Sequence, residues 1–131
     1  MDLERKRDSL RAILTLIGLT ATLTGIFAVL TGSSGQVGGT QAAPSVESEL
    51  RFFAAFWIAY GAAALYVAPR AVREIHAVRA LALFLFLGGI ARVIAWIADG
   101  RPNTLFIVLL AFEVLLPPSI LLLQRSILED L

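Results

Sequence analysis

Cysteine is absent from this 131-residue chain, which rules out disulfides, thiolate metal ligands and thiol redox chemistry. Histidine occurs once, at His76, so a single chain can build neither a haem site with two axial histidines nor a three-histidine zinc site. Charge is scarce too. Only 16% of the residues are Asp, Glu, Lys or Arg, and the formal net charge is +1. No serine stands near the histidine and no glycine-rich phosphate loop follows a strand pattern. Neither an enzyme activity nor a cofactor is therefore expected.

Apolar sequence is abundant instead. Hydrophobic residues make up 58% of the chain, the mean hydropathy is +0.82, and the apolar residues gather into four long runs separated by charge clusters. That composition departs from soluble domains, and the length fits one domain. We expect a single membrane domain over residues 1–131: an all-α, four-helix transmembrane bundle, up-down antiparallel, with helices at about 10–32, 45–69, 80–98 and 103–124.

The first run, Ala12 to Gly32, is uncharged and long enough for the ~20 residues that span a bilayer. It exceeds the apolar core of a cleavable signal peptide. Thr15, Gly18, Thr22, Gly25, Val29 and Gly32 recur at alternating spacings of three and four, a mostly small-residue seam along which another helix can approach closely. A loop rich in Gly and Ser follows to Ser45, which is expected to cap the second helix. Glu47 and Arg51 are spaced for an i,i+4 ion pair, and Arg51 shares its stripe with Ala54 and Gly61. The segment from Arg70 to Arg79, RAVREIHAVR, reads as a short basic turn. Gly88 and Gly89 in the third run admit a close neighbour one turn before Arg92. Residues 99–103 form a tight turn, and Pro117-Pro118 should bend the fourth helix.

Two ionisable residues lie deep inside apolar runs, Arg92 in the third and Glu113 in the fourth. An arginine at the centre of a spanning helix costs roughly 2.5–3.5 kcal/mol on insertion scales, so it faces inward and finds a partner. At ~1.5 Å per residue, Arg92 lies roughly 10 Å below Asp99 and Glu113 roughly 13 Å below Thr104, so their depths match. Glu47 and Arg51 fall near the same level. Glu47, Arg51, Arg92 and Glu113 are accordingly the candidate polar network or ligand site. Basic residues set the topology: Arg5, Lys6, Arg7, Arg11, Arg70, Arg73, Arg79 and Arg125 lie on the side of the termini, against Arg101 alone on the other. That bias puts both termini in the cytoplasm and the candidate network in the outer half of the inner (plasma) membrane. The basic residues flank membrane segments, so nucleic acid is not an expected partner. The lipid bilayer is, together with a larger membrane complex or further copies of the chain.

Several local patterns converge on a family. Glu49-Leu50-Arg51-Phe52, Gly61, Gly88-Gly89-Ile90-Ala91-Arg92, Gly100-Arg101-Pro102 and Glu113 with Pro117-Pro118 resemble a family of small bacterial four-helix integral membrane proteins catalogued as a domain of unknown function. The resemblance covers roughly residues 46–125 and implies a compact four-helix membrane domain. It implies no reaction, substrate or cofactor.

Two functional readings follow. The first is a non-enzymatic accessory subunit or oligomeric module with an internal Arg/Glu network. The second is a small transporter or a lipid- or anion-binding membrane protein using Arg51, Arg92 and Glu113. The strong charge bias opposes an inverted-dimer transporter, and pairing of Glu113 with Arg92 opposes proton coupling.

Overall fold

A computed structural model describes all 131 residues. The chain is all-α, with four long helices: α1 (Leu3–Thr31), α2 (Pro44–Val67), α3 (Ile75–Asp99) and α4 (Thr104–Glu129). Short 3-10 turns occupy Ser33–Gly35 and Ala68–Arg70. Four helices are long and apolar enough to cross a membrane. The chain divides into two compact units, Leu14–Pro69 and Met1–Ile13 with Arg70–Leu131.

The helices outrun the apolar stretches that announce them. α1 starts at Leu3 rather than near residue 10, because Asp2 accepts the Arg5 amide at 2.9 Å and Glu4–Arg7 (3.1 Å) and Asp8–Arg11 (3.7 Å) pair one turn apart. α3 starts at Ile75 rather than 80, so the second half of the basic segment is helical and buries Val78. α4 continues to Glu129, where Arg125 pairs with that residue at 2.8 Å. Charge ends a hydropathy run without ending the backbone hydrogen bonding of a helix.

In the unit Leu14–Pro69, α1 and α2 run antiparallel and nearly touch at their backbones. A Cβ on Gly61 would stand 2.6 Å from the Thr22 nitrogen and 2.8 Å from the Gly18 carbonyl oxygen. One on Gly25 would stand 3.0 Å from the Ile58 nitrogen and 3.1 Å from the Ala54 oxygen. Only glycine permits that approach, and Ala21, Ala54 and Ala64 are buried with them. A polar clip adds direction: the Trp57 indole donates to Thr24 Oγ1 at 2.9 Å, and Thr24 Oγ1 donates to the Thr20 carbonyl at 2.6 Å. Trp57 also stacks on Tyr60, with ring centroids 5.0 Å apart. α2 begins with Ala43 as N-cap and Pro44 in the first turn, without a side-chain cap, so the cap expected at Ser45 is not used. Proline's fixed φ and missing N–H suit it to that first position.

In the other unit, α3 and α4 pack antiparallel. α4 buries Glu113, Pro117, Ile120, Gln124 and Ile127, a stripe spaced by four and three, against Val78, Leu81, Ala82, Leu85 and Gly89 of α3. The turn between them holds Gly100 at φ 95°, a left-handed conformation suited to glycine. Asn103 caps α4 by accepting the Leu105 amide at 3.0 Å. The two terminal segments in this unit are tied by Lys6, which donates to Asp130 at 2.5 Å.

Candidate functional site

The close approach of α3 and α4 creates the setting for the first ion pair. Gly89 has no side chain to hold the helices apart, and a Cβ there would meet Val114 at 3.2 Å and the Glu113 Cβ at 3.3 Å. Gly88, expected to share this role, faces open space, since a Cβ there would meet nothing within 4 Å. Consecutive helical residues point about 100° apart, so one of two adjacent glycines can line a contact while the other looks away.

Three residues beyond Gly89, the Arg92 guanidinium reaches across to α4. Its Nε donates to Glu113 Oε2 at 2.7 Å, a charge-assisted bond. Glu113 is the better enclosed partner, with 11% of its side chain exposed against 37% for Arg92. The guanidinium carbon also lies 5.5 Å from the centre of the Phe106 ring, in cation–π range. Pro117 and Pro118 sit inside α4. Lacking N–H groups, they leave the carbonyls of Glu113 and Val114 without their helical donors, so this turn carries free backbone acceptors in the interior of α4.

A second crosslink lies toward the other end of the same helix pair. Gln124 is nearly fully buried, accepts from Arg79 Nε at 3.3 Å and donates to the Ile75 carbonyl at 3.3 Å. Gln124 is not singled out by the sequence, because it stands at the edge of an apolar run, where a polar residue is ordinarily solvated. Its signal was periodic: it is three helical turns from Glu113 and shares its stripe.

Glu47 and Arg51 belong to the other unit. Their contact is loose, 3.9 Å from Arg51 Nε to Glu47 Oε2, and 48% of the Arg51 side chain is exposed. The Glu47 carboxylate is occupied mainly by the loop before α2. It accepts the Ser33 amide at 3.1 Å, the Ala42 amide at 3.3 Å and the Ser33 hydroxyl. The Ser33 hydroxyl oxygen also accepts the Ala42 amide at 2.9 Å. The expected i,i+4 pair is thus a minor part of what Glu47 does; its larger role is to close the loop of residues 32–43 onto the start of α2. Ser33 was the unrecognised partner, since a loop residue fourteen positions away carries no periodic signal. The four candidate residues therefore form two pairs, each closed within its own unit. No three His, Asp or Glu residues group closely enough to hold a metal ion.

The chain belongs to the family described as Domain of unknown function (DUF4345), whose match spans residues 9–124. No curated protein and no solved structure matches the chain.

Proposed function

Starting from a family without an assigned activity, we propose that this chain is a multi-pass protein of the inner (plasma) membrane with both termini cytoplasmic, and that it is a non-enzymatic module that docks through α3 onto a larger membrane complex or a second copy of itself. The observation that carries this reading is the uncovered face of α3 around Gly88 and Arg92. These residues are one helical turn apart and share a face. Gly88 has open space in front of it, and over a third of the Arg92 side chain is exposed within an apolar run. A glycine notch lets a neighbouring helix approach closely, and a guanidinium at membrane depth is stabilised when protein rather than lipid covers it. In this reading the Arg92–Glu113 pair is architecture, and the remaining donors of Arg92 are left for the partner.

The test is native co-purification of a tagged chain from detergent-solubilised membranes, with mass spectrometry of the proteins retained. A stoichiometric partner, or a defined oligomer of the chain, is expected. Gly88→Leu should abolish it while leaving the chain folded, because the new Cβ meets nothing within 4 Å in the isolated chain. A chain that runs as a lone monomer, or association indifferent to Gly88→Leu, removes the reading.

Orientation has a direct test, made easy by the absence of cysteine. Gln41→Cys, in the loop before α2, should react with a membrane-impermeant thiol reagent in intact cells. Arg73→Cys should react only after permeabilisation. Both positions are exposed, so protection can be ascribed to the membrane. The opposite pattern inverts the topology.

The transporter reading lacks comparable support. Glu113, its proposed coupling carboxylate, is occupied by Arg92 at 2.7 Å.

A further inference from the structure

A groove of about 540 Å³ runs along the α3–α4 pair, away from the Arg92–Glu113 contact. Its size falls within the ~300–1,000 Å³ typical of small-molecule sites. Arg79 and Arg125 line it together at one end; Leu83, Phe86, Pro117 and Pro118 are among the apolar residues that line the remainder. The antiparallel register of the helices pairs Arg79 with Gln124 and so sets this polar end roughly 10 Å from the level of Phe86. Charge at one end and apolar walls beyond it match an amphiphile with a single anionic head.

We propose that this groove binds an anionic phospholipid, with the phosphate held by Arg79 and Arg125 and an acyl chain lying along Leu83, Phe86 and the two prolines. The inference rests on the reading of the four helices as membrane-spanning and is independent of any protein partner. Three observations support it. Arg79 is oriented by a buried group: its Nε is engaged by Gln124, which is itself anchored on the Ile75 carbonyl. That bond is to a neutral amide, and no carboxylate lies within ion-pair distance of Arg79, so its charge is uncompensated and its terminal nitrogens stay available. Arg125 is engaged only by Glu129, in a pair whose side chains are 77% and 62% exposed, a contact that a phosphate can displace at little cost. Arg79 and Arg125 each stand directly beside an apolar run, before Ala80 and after Gln124, where basic side chains meet lipid phosphates when those runs span a bilayer. An apolar partner helix would fit this groove less well, since it would cover the two arginines without bringing an anion to them.

The experiment uses the purified full chain in non-ionic detergent, titrated with phosphatidylglycerol, phosphatidylcholine or inorganic phosphate, and read by native mass spectrometry and by thermal stabilisation. Phosphatidylglycerol should bind and stabilise, phosphatidylcholine should do so more weakly, and inorganic phosphate alone should not compete at millimolar concentration. Each of Arg79→Gln and Arg125→Gln should weaken phosphatidylglycerol binding about fivefold, and the pair of substitutions roughly twenty-five-fold. Arg125→Gln touches only a surface contact, so it reports on binding even if Arg79→Gln disturbs the Gln124 crosslink. Leu121→Trp, on an exposed groove position, should block the acyl path and lower affinity for every phospholipid. Equal binding of the two lipids, competition by inorganic phosphate, or indifference to both Arg125→Gln and Leu121→Trp would overturn the proposal. None of these outcomes depends on whether a protein partner is recovered.

Discussion

Glu113→Leu lowers stability by about 3 kcal/mol, and adding Arg92→Leu to it restores most of that loss. The asymmetry comes from what each change leaves behind. In the single variant the Arg92 guanidinium keeps its position inside an apolar run but loses the carboxylate 2.7 Å away. An uncompensated charge in a poorly polarisable medium costs more than the pair contributes, because the attraction within the pair had been offsetting the desolvation of both groups. In the double variant no charge remains to be desolvated, and leucines fill the space between α3 and α4. The exposure of Arg92 sets the estimate at the low end of the ~3–5 kcal/mol expected for a broken buried pair, since part of the guanidinium can turn outward. A double-mutant cycle by reversible unfolding in detergent measures the coupling directly. Two single variants as stable as the parent would mean that the pair holds nothing together. The double variant should nevertheless lose association with a partner, because the exposed guanidinium is the group the docking reading assigns to that contact.

Gly61→Ala should cost about 2 kcal/mol, whereas Gly88→Ala should be neutral or stabilise by up to ~1 kcal/mol. Both place a methyl group in the middle of a long helix, where alanine is intrinsically favoured over glycine. What differs is the space in front of them. At Gly61 the new atom would stand 2.6 Å from the Thr22 nitrogen and 2.8 Å from the Gly18 oxygen, and backbone atoms cannot rotate away as a side chain does. α1 and α2 must separate, which loosens the contacts around Gly18 and Gly25 and stretches the Trp57–Thr24 bond. At Gly88 nothing lies within reach, so only the gain in helix propensity remains. Thermal unfolding of the two variants side by side is the measurement. A mild effect at Gly61 would show that the seam can open without penalty.

Helix class, helix number and the antiparallel partnering of the third and fourth runs were legible in the sequence because each rests on local physics. Four runs of spanning length separated by charge fix four long helices, as a backbone of that polarity in apolar sequence must satisfy its own hydrogen bonds. The small-residue seam of α1 was legible for a related reason: Gly18, Thr22 and Gly25 recur with the period of a helix face, and Gly18 and Gly25 meet α2 where that period places them. Arg92 and Glu113 were paired by depth alone, since each stood out against apolar neighbours.

The tertiary structure decided what periodicity leaves open. It assigned Gly89 to the α3–α4 contact and left Gly88 facing outward, a choice set by the rotation of α3 about its axis. It kept the i,i+4 contact of Glu47 with Arg51 but made Glu47 chiefly the acceptor that closes a loop, because the backbone path of residues 33–42 brings two amides and a hydroxyl to one carboxylate. It buried Gln124 and, through that amide, tied Arg79 at the lining of a groove that Arg125 also lines. Sequence spacing specifies which residues share a face of one helix. Which face meets which neighbour depends on contacts between segments distant along the chain, and these arise only when the helices pack.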